Sequence, residues 1–119
     1  GFPGTYVCDW KTAVRPTEEP LGVVMNPPYC EALEHLTHAL EMLKDGELCC
    51  ALLRLQFLET IKRKAFFEKY PMRYLAVFSF RIKYNKDGDP NAQKTHSAVA
   101  YAWFIWVKGY KGKPELLWI

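Results

Sequence analysis

The sequence predicts an α/β domain built on one sheet, mostly parallel, with a single reversed strand. Three observations predict it. Short apolar runs at 21–25, 47–53 and 73–80 alternate with helix-period stretches at 31–44 and 58–69, the order that builds parallel sheets through right-handed crossovers. The first two apolar runs are continuous rather than alternating, which is expected of strands covered on both faces. The segment between 80 and 99 is polar and too short for a crossover helix, so the strand at 99–107 is expected to return antiparallel to the one at 73–80.

Along the chain, GTYVC (4–8) reads as a short strand ending at Asp9, and the polar, proline-bearing stretch 11–20 as a loop. LGVVM (21–25) is a strand that runs straight into Asn26, Pro27 and Pro28. In the helix at 31–44, Leu33, Leu36, Leu40 and Leu43 share one face, and Gly46 suits the left-handed cap position behind it. ELCCALL (47–53) is a second buried strand. LETIKRKAFFEK (58–69) is a second helix that stops before Pro71, because proline lacks the N–H a helix needs. RYLAVFSF (73–80) is a third strand, 85–97 a polar loop, and VAYAWFIWV (99–107) the returning strand, with Trp103, Phe104 and Trp106 as core on alternate faces. A turn at 109–114 leads to the short apolar end LLWI.

With 119 residues, half of them hydrophobic and 15% aromatic, the chain is one ordered domain rather than a disordered segment. The net charge of +3 permits an anionic partner without demanding one. Cys8, Cys30, Cys49 and Cys50 include no CxxC pair, and two of them are neighbours in an apolar run. They read as reduced, mostly buried thiols of a cytoplasmic protein, with Cys30 a small buried residue at a helix start. No segment has the pattern of a signal peptide or of a membrane span. His35 and His38 are three apart on the first helix, but no third ligand is evident, so an exposed helix surface is expected there and no metal.

In an open α/β sheet, ligands sit outside the carboxyl ends of the strands. Residues 26–29, 54–57 and the 81–97 loop all leave such ends, so all three are expected to converge on one edge. There the run Asn26-Pro27-Pro28-Tyr29 suits a specific chemistry. An Asn side-chain oxygen and a backbone carbonyl, both acceptors, can take the two protons of one exocyclic amine. That turns the nitrogen lone pair out of the ring's π-system. The prolines stiffen the backbone that presents the carbonyl, and Tyr29 offers a face for stacking. The same residues also make an ordinary strand-to-helix turn, with Pro28 near the first helical turn. Arg54 and Gln56 are further site candidates at the ligand edge. Arg81, Lys83 and Lys86 are placed to meet nucleic-acid phosphates. The clusters Lys62-Arg63-Lys64 and Lys108, Lys111, Lys113 read first as solvated surface.

The NPPY run directly after a buried strand resembles the catalytic motif of S-adenosylmethionine-dependent amino-group methyltransferases, above all adenine-N6 and cytosine-N4 DNA methyltransferases. Similar loops occur in enzymes that methylate release-factor glutamine or ribosomal-RNA guanine. ALLRLQFLE (51–59), Lys62-Arg63-Lys64 with Phe66-Phe67, and YAWFIWVKGY (101–110) resemble adenine-specific DNA methyltransferases of phages and prophages, and the resemblance runs from about Tyr6 onward. It implies catalytic roles for Asn26, Pro27, Pro28 and Tyr29, a donor-adenine contact for Asp9, and DNA and S-adenosylmethionine as partners in a bacterial or phage-encoded protein. The glycine-rich donor loop of that family and the acidic residue that holds the donor ribose are absent. The fold implied is therefore a partial Rossmann-like class I methyltransferase sheet lacking its first two strands, a single partial domain over 1–119. Its alternative is a non-catalytic remnant that binds DNA or a partner. The edge of the 21–25 strand would then be covered by the 4–8 segment, by a missing half or by a second copy.

Overall fold

The computed structural model describes residues 14–80, 83–85, 94–96 and 100–119, with 83–85 and 94–96 described by their backbone alone. The chain is a small α/β domain with two helices and a five-stranded mixed sheet. In sequence order it runs β1 (Val23–Met25), α1 (Ala32–Met42), β2 (Leu48–Arg54), α2 (Ile61–Lys69), β3 (Tyr74–Val77), β4 (Lys83–Asn85), β5 (Lys94–His96), β6 (Tyr101–Val107) and β7 (Glu115–Trp118). The sheet order is β1-β2-β6-β3-β7, and β4 and β5 form a separate antiparallel pair.

β1 pairs parallel with β2, and β3 parallel with β7, while β6 lies between β2 and β3 antiparallel to both. Four of the five strands therefore share a direction, yet two of the four pairings are antiparallel. The expectation of a mostly parallel sheet holds for direction and not for pairing, because the one reversed strand is central rather than peripheral. The expected β3·β6 pairing is present.

Both crossovers, β1-α1-β2 and β2-α2-β3, step the same way across the sheet, so right-handedness places both helices on one face. The core reflects this. Leu36 and Leu40 of α1 and Phe66 of α2 join one cluster with Val23, Met25, Cys49, Ala51, Leu53, Ala102, Phe104 and Trp106, alternate residues of three adjacent strands. Trp106 packs against Phe66 and Phe67 at ring distances of 6.0 and 6.4 Å. Its indole N–H donates to the Tyr70 carbonyl at 2.9 Å, so its one polar atom is satisfied. Fully burying side chains of this size stabilises by about 1.5–3 kcal/mol each.

The opposite face is covered far less. Val24 is 72% exposed, and Cys50, Leu52, Trp103 and Ile105 are half-buried. The expectation of two strands covered on both faces is corrected: the burial of β1 and β2 alternates residue by residue, because the residues of the less covered face are apolar too and hide the period of two. Trp103 is half-buried while Phe104 and Trp106 are fully so.

Three boundaries also differ. LLWI belongs to a strand, β7, held by backbone bonds from Glu115 N–H to Arg73 O and from Ile119 N–H to Val77 O, each 2.9 Å. Only Leu117 in it is less than exposed, so it carries no pattern of burial. The ends of the 85–97 stretch, expected to be loop, fall in β4 and β5. Gly46 does have a positive φ, +90°, but α1 ends at Met42. Gly46 is instead the third residue of the turn closed by Glu47 N–H on Lys44 O, the type II position that favours glycine. Gly109 repeats this with φ +90° in the turn closed by Tyr110 N–H on Val107 O. The two turns are tied by Gly46 N–H to Lys108 O and Lys108 N–H to Glu47 O, both 2.8 Å.

The Glu47 side chain fastens the start of β1 to this end. Its carboxylate accepts from Arg15 Nη1 and Nη2 at 2.6 and 2.8 Å, from Leu21 N–H at 2.7 Å and from Lys44 N–H at 2.8 Å. The Arg15 guanidinium first, then these backbone donors, hold its pKa down at about 2, since each favours the ionised form.

Candidate functional site

β1 ends at Met25, and the chain turns at once through Asn26, Pro27 and Pro28 into a 3-10 turn at Tyr29–Glu31. Pro28 has φ −56° and ψ 133°, close to its ring-fixed value. Its carbonyl accepts from Glu31 N–H at 3.0 Å. Asn26 is exposed. Among the described residues neither the Asn26 amide nor the Pro27 carbonyl has a hydrogen-bond partner. Two acceptors are thus presented together on a stiff corner.

Beside them is a hollow of about 120 Å³ lined by Asn26, Pro27, Tyr29, Leu52, Leu53, Arg54 and Tyr101. Its walls come from the carboxyl ends of β1 and β2 and from the first residue of β6. Arg54 and Tyr101 are register partners across the antiparallel β2·β6 ladder, which explains their meeting. Tyr29 is half-buried, edge-on to the fully buried Phe57 at 6.5 Å. Its hydroxyl accepts from Arg63 Nη1 at 3.1 Å. The Arg54 and Arg63 guanidinium carbons lie 5.0 and 5.1 Å from the Tyr29 ring centroid, inside cation–π range.

Arg63 is delivered by an unusual backbone. Thr60, which caps α2 by accepting from Arg63 N–H, has φ +117°, a region nearly reserved for glycine. Holding a β-branched residue there costs about 1–3 kcal/mol. The first turn of α2 holds no acid and instead Lys62, Arg63 and Lys64. Cations at that end oppose the helix dipole by about 0.3–1 kcal/mol each.

The structure brings Asn26, Pro27, Tyr29 and Arg54 together. Pro28 stands just behind the hollow, and Gln56 does not line it: its side chain is exposed and its backbone carbonyl accepts from Arg63 at 3.3 Å. Asp9, Arg81, Lys86 and the 4–8 strand lie outside the described residues, and Lys83 is described only as backbone of β4. Tyr101 and Phe57 were not singled out as site residues, and Arg63 was read as surface charge. The sequence held no signal for Tyr101: the return of 99–107 pairs it with β3, whereas Tyr101 meets Arg54 through the β2·β6 ladder. Nothing in the spacing of Arg63 pointed to Tyr29.

Other expectations change. Cys30 is exposed rather than buried and borders an open groove with Glu34, His38 and Lys62. His35 is nearly buried rather than on an exposed surface. Its ring nitrogens find no hydrogen bond, and Nε2 stands 3.6 Å from Glu31 Oε2. Among the described residues no group of His, Cys, Asp and Glu has metal-binding geometry, and no helix is long and apolar enough to cross a membrane. Lys108 is not a free surface cation: its ammonium donates to the carbonyls of Leu40 and Leu43, capping α1. It also borders a larger hollow of about 190 Å³ with Lys69, Tyr70 and Tyr110. That one lies at the amino ends of the parallel strands, away from Asn26.

The hollow beside Tyr29 is well below the roughly 300–1,000 Å³ of pockets that enclose a drug-sized ligand, and none of its lining side chains is acidic. It suits one planar ring. It does not fit a sulfonium nucleoside with an amino-acid tail, so this hollow is not a donor site. No protein-family model matches this chain, and no curated protein matches it.

Proposed function

We propose that this chain carries the target-binding side of a DNA amino-methyltransferase of the adenine-N6 type, on a partial Rossmann-like sheet. One observation carries the reading: Asn26 and Pro27, whose acceptors have no partner among the described residues, line one hollow with Tyr29. The resemblance of the NPPY run supports it. An adenine inside a duplex is paired and stacked, so it must be extruded to reach the hollow. Its ring would then stack on Tyr29, and its two amine protons would be taken by Asn26 and Pro27. Held so, the nitrogen lone pair is free of the ring. S-adenosylmethionine would supply an electrophilic methyl group, and its binding residues are not among those described.

The experiment needs no turnover. The chain is titrated with fluorescent single-stranded oligodeoxynucleotides carrying one adenine, or hypoxanthine in its place. Hypoxanthine puts an acceptor oxygen where adenine has its amine, facing two acceptors. Adenine is expected to bind better by about 1–3 kcal/mol, the usual penalty for an unpaired polar group. Asn26→Ala should erase most of that preference while leaving the fold intact. Equal affinity for both bases would end the assignment.

A second reading, a DNA-binding remnant without catalysis, is favoured by one feature: no glycine-rich donor loop follows a strand in this sequence. Calorimetry separates the two. Heat of binding at micromolar S-adenosylmethionine contradicts the remnant, and silence supports it.

A further inference from the structure

The two arginines that flank Tyr29 are not explained by amine capture. Arg54 is exposed, and its guanidinium makes no hydrogen bond or ion pair among the described residues, only the stacking contact with Tyr29. Among the described residues, then, none of its five donors is spent. Arg63 uses one nitrogen, Nη1, for all its bonds: to the Tyr29 hydroxyl and to the carbonyls of Gln56 and Glu59. Its Nη2 and Nε keep their donors. No carboxylate pairs with either side chain among the described residues, although the chain has thirteen acids. Elsewhere an arginine does find its acid, as the half-buried Arg15 does with Glu47. Both guanidinium carbons lie about 5 Å from one ring; Arg54 also lines the hollow, and Arg63 is tied to the hydroxyl of the same ring.

A planar base on Tyr29 drags its sugar and phosphates to the rim of that volume. Guanidinium forks match phosphate oxygens two at a time. Resting on the reading of the hollow as a base site, we infer that Arg54 and Arg63 bind the phosphates flanking the extruded nucleotide. Arg63 has a second part: by fixing the Tyr29 hydroxyl it positions the ring. Arg54 leaves the ring face when a base arrives, because a stacked guanidinium and a stacked base compete for it.

The test measures affinity of the chain for a short single-stranded oligodeoxynucleotide against salt concentration. Each phosphate contact contributes about 0.7 to the log–log slope for single strands. Arg54→Gln and Arg63→Gln are each expected to lower the slope by about 0.7. Arg63→Lys keeps the charge and should keep the slope while losing the Tyr29 bond, which separates phosphate contact from positioning. Neutral methylphosphonates on either side of the adenine should weaken wild-type binding roughly tenfold and leave the double Gln variant unaffected. If the variants bind with the wild-type slope and still prefer adenine to hypoxanthine, the clamp is wrong and the base site stands. If wild type shows no preference for adenine while the variants lower the slope as expected, the phosphate contacts stand and the base site is wrong. If wild type binds no oligonucleotide at low salt, both are wrong.

Discussion

Truncating Phe57 to alanine tests whether the site rests on packed core. Phe57 sits in the 3-10 turn after β2, fully buried. Its ring meets Phe67 and Phe104 edge-on at 5.9 Å and Tyr29 at 6.5 Å, and Arg63 lies over it at 4.5 Å. Phe→Ala in a core costs about 3–5 kcal/mol, the removed transfer energy plus the cavity left behind. The upper half of that range is expected, because rings on several sides cannot all collapse into one hole. A chain of this length has about 6–18 kcal/mol of stability in total, so about a fifth of it or more is at stake. At a urea slope of about 1–3 kcal/mol per molar, the midpoint should fall by at least about 1 M. Phe57→Leu preserves most of the volume and should cost under about 1.5 kcal/mol, while loosening Tyr29 and weakening adenine binding. Urea unfolding followed by circular dichroism reads the first effect and oligonucleotide titration the second. A Phe57→Ala protein within about 1 kcal/mol of wild type would refute the claim that Tyr29 stands on packed aromatic core.

Two further expectations concern titratable groups. The Glu47 carboxylate is held at about 2 against an ordinary value of 4.5, so its contribution to stability is full above 4.5 and is lost as pH falls toward 2. The stability gap between wild type and Glu47→Gln should therefore be widest near neutrality and close across that window; a gap independent of pH would contradict the Arg15–Glu47 account. Burial, and next the neighbouring Cys50, push the Cys49 thiol up to about 12, whereas Cys30 is exposed. Iodoacetamide near pH 8 should label Cys30 in the folded protein and Cys49 only after unfolding, as read by peptide mass spectrometry, and early labelling of Cys49 would place it outside the core.

Local signals placed the helices and the strands β1, β2, β3 and β6, since each lies in an apolar run long enough to show. Leu36 and Leu40 fell on the buried side because four leucines at helical spacing leave little choice. The Asn26–Tyr29 corner was legible for the same reason: its chemistry lies within four consecutive residues. What stayed hidden depends on partners distant in sequence. β7 is only four residues with little burial, and its strand character comes from Arg73 and Val77. Arg63 lies 34 residues from Tyr29, and a basic run on a helix says nothing about which of its members turns inward. The exposed second face of the sheet was masked because its residues are as apolar as those of the first. Cys30 was misplaced because a small apolar residue at a helix start is equally at home on either side.

The position of β6 bears on how the chain acquires this shape. It is last but one in sequence and middle in space, wedged between β2 and β3 with hydrogen bonds to both. During synthesis the two strands that will flank it emerge first and have nothing to join them. Until residue 107 arrives, each presents a bare apolar border of the kind that recruits neighbouring chains. The molecule thus closes like an arch whose keystone is delivered after the stones on either side of it, and its vulnerable period is set by translation rather than by the strength of the finished sheet.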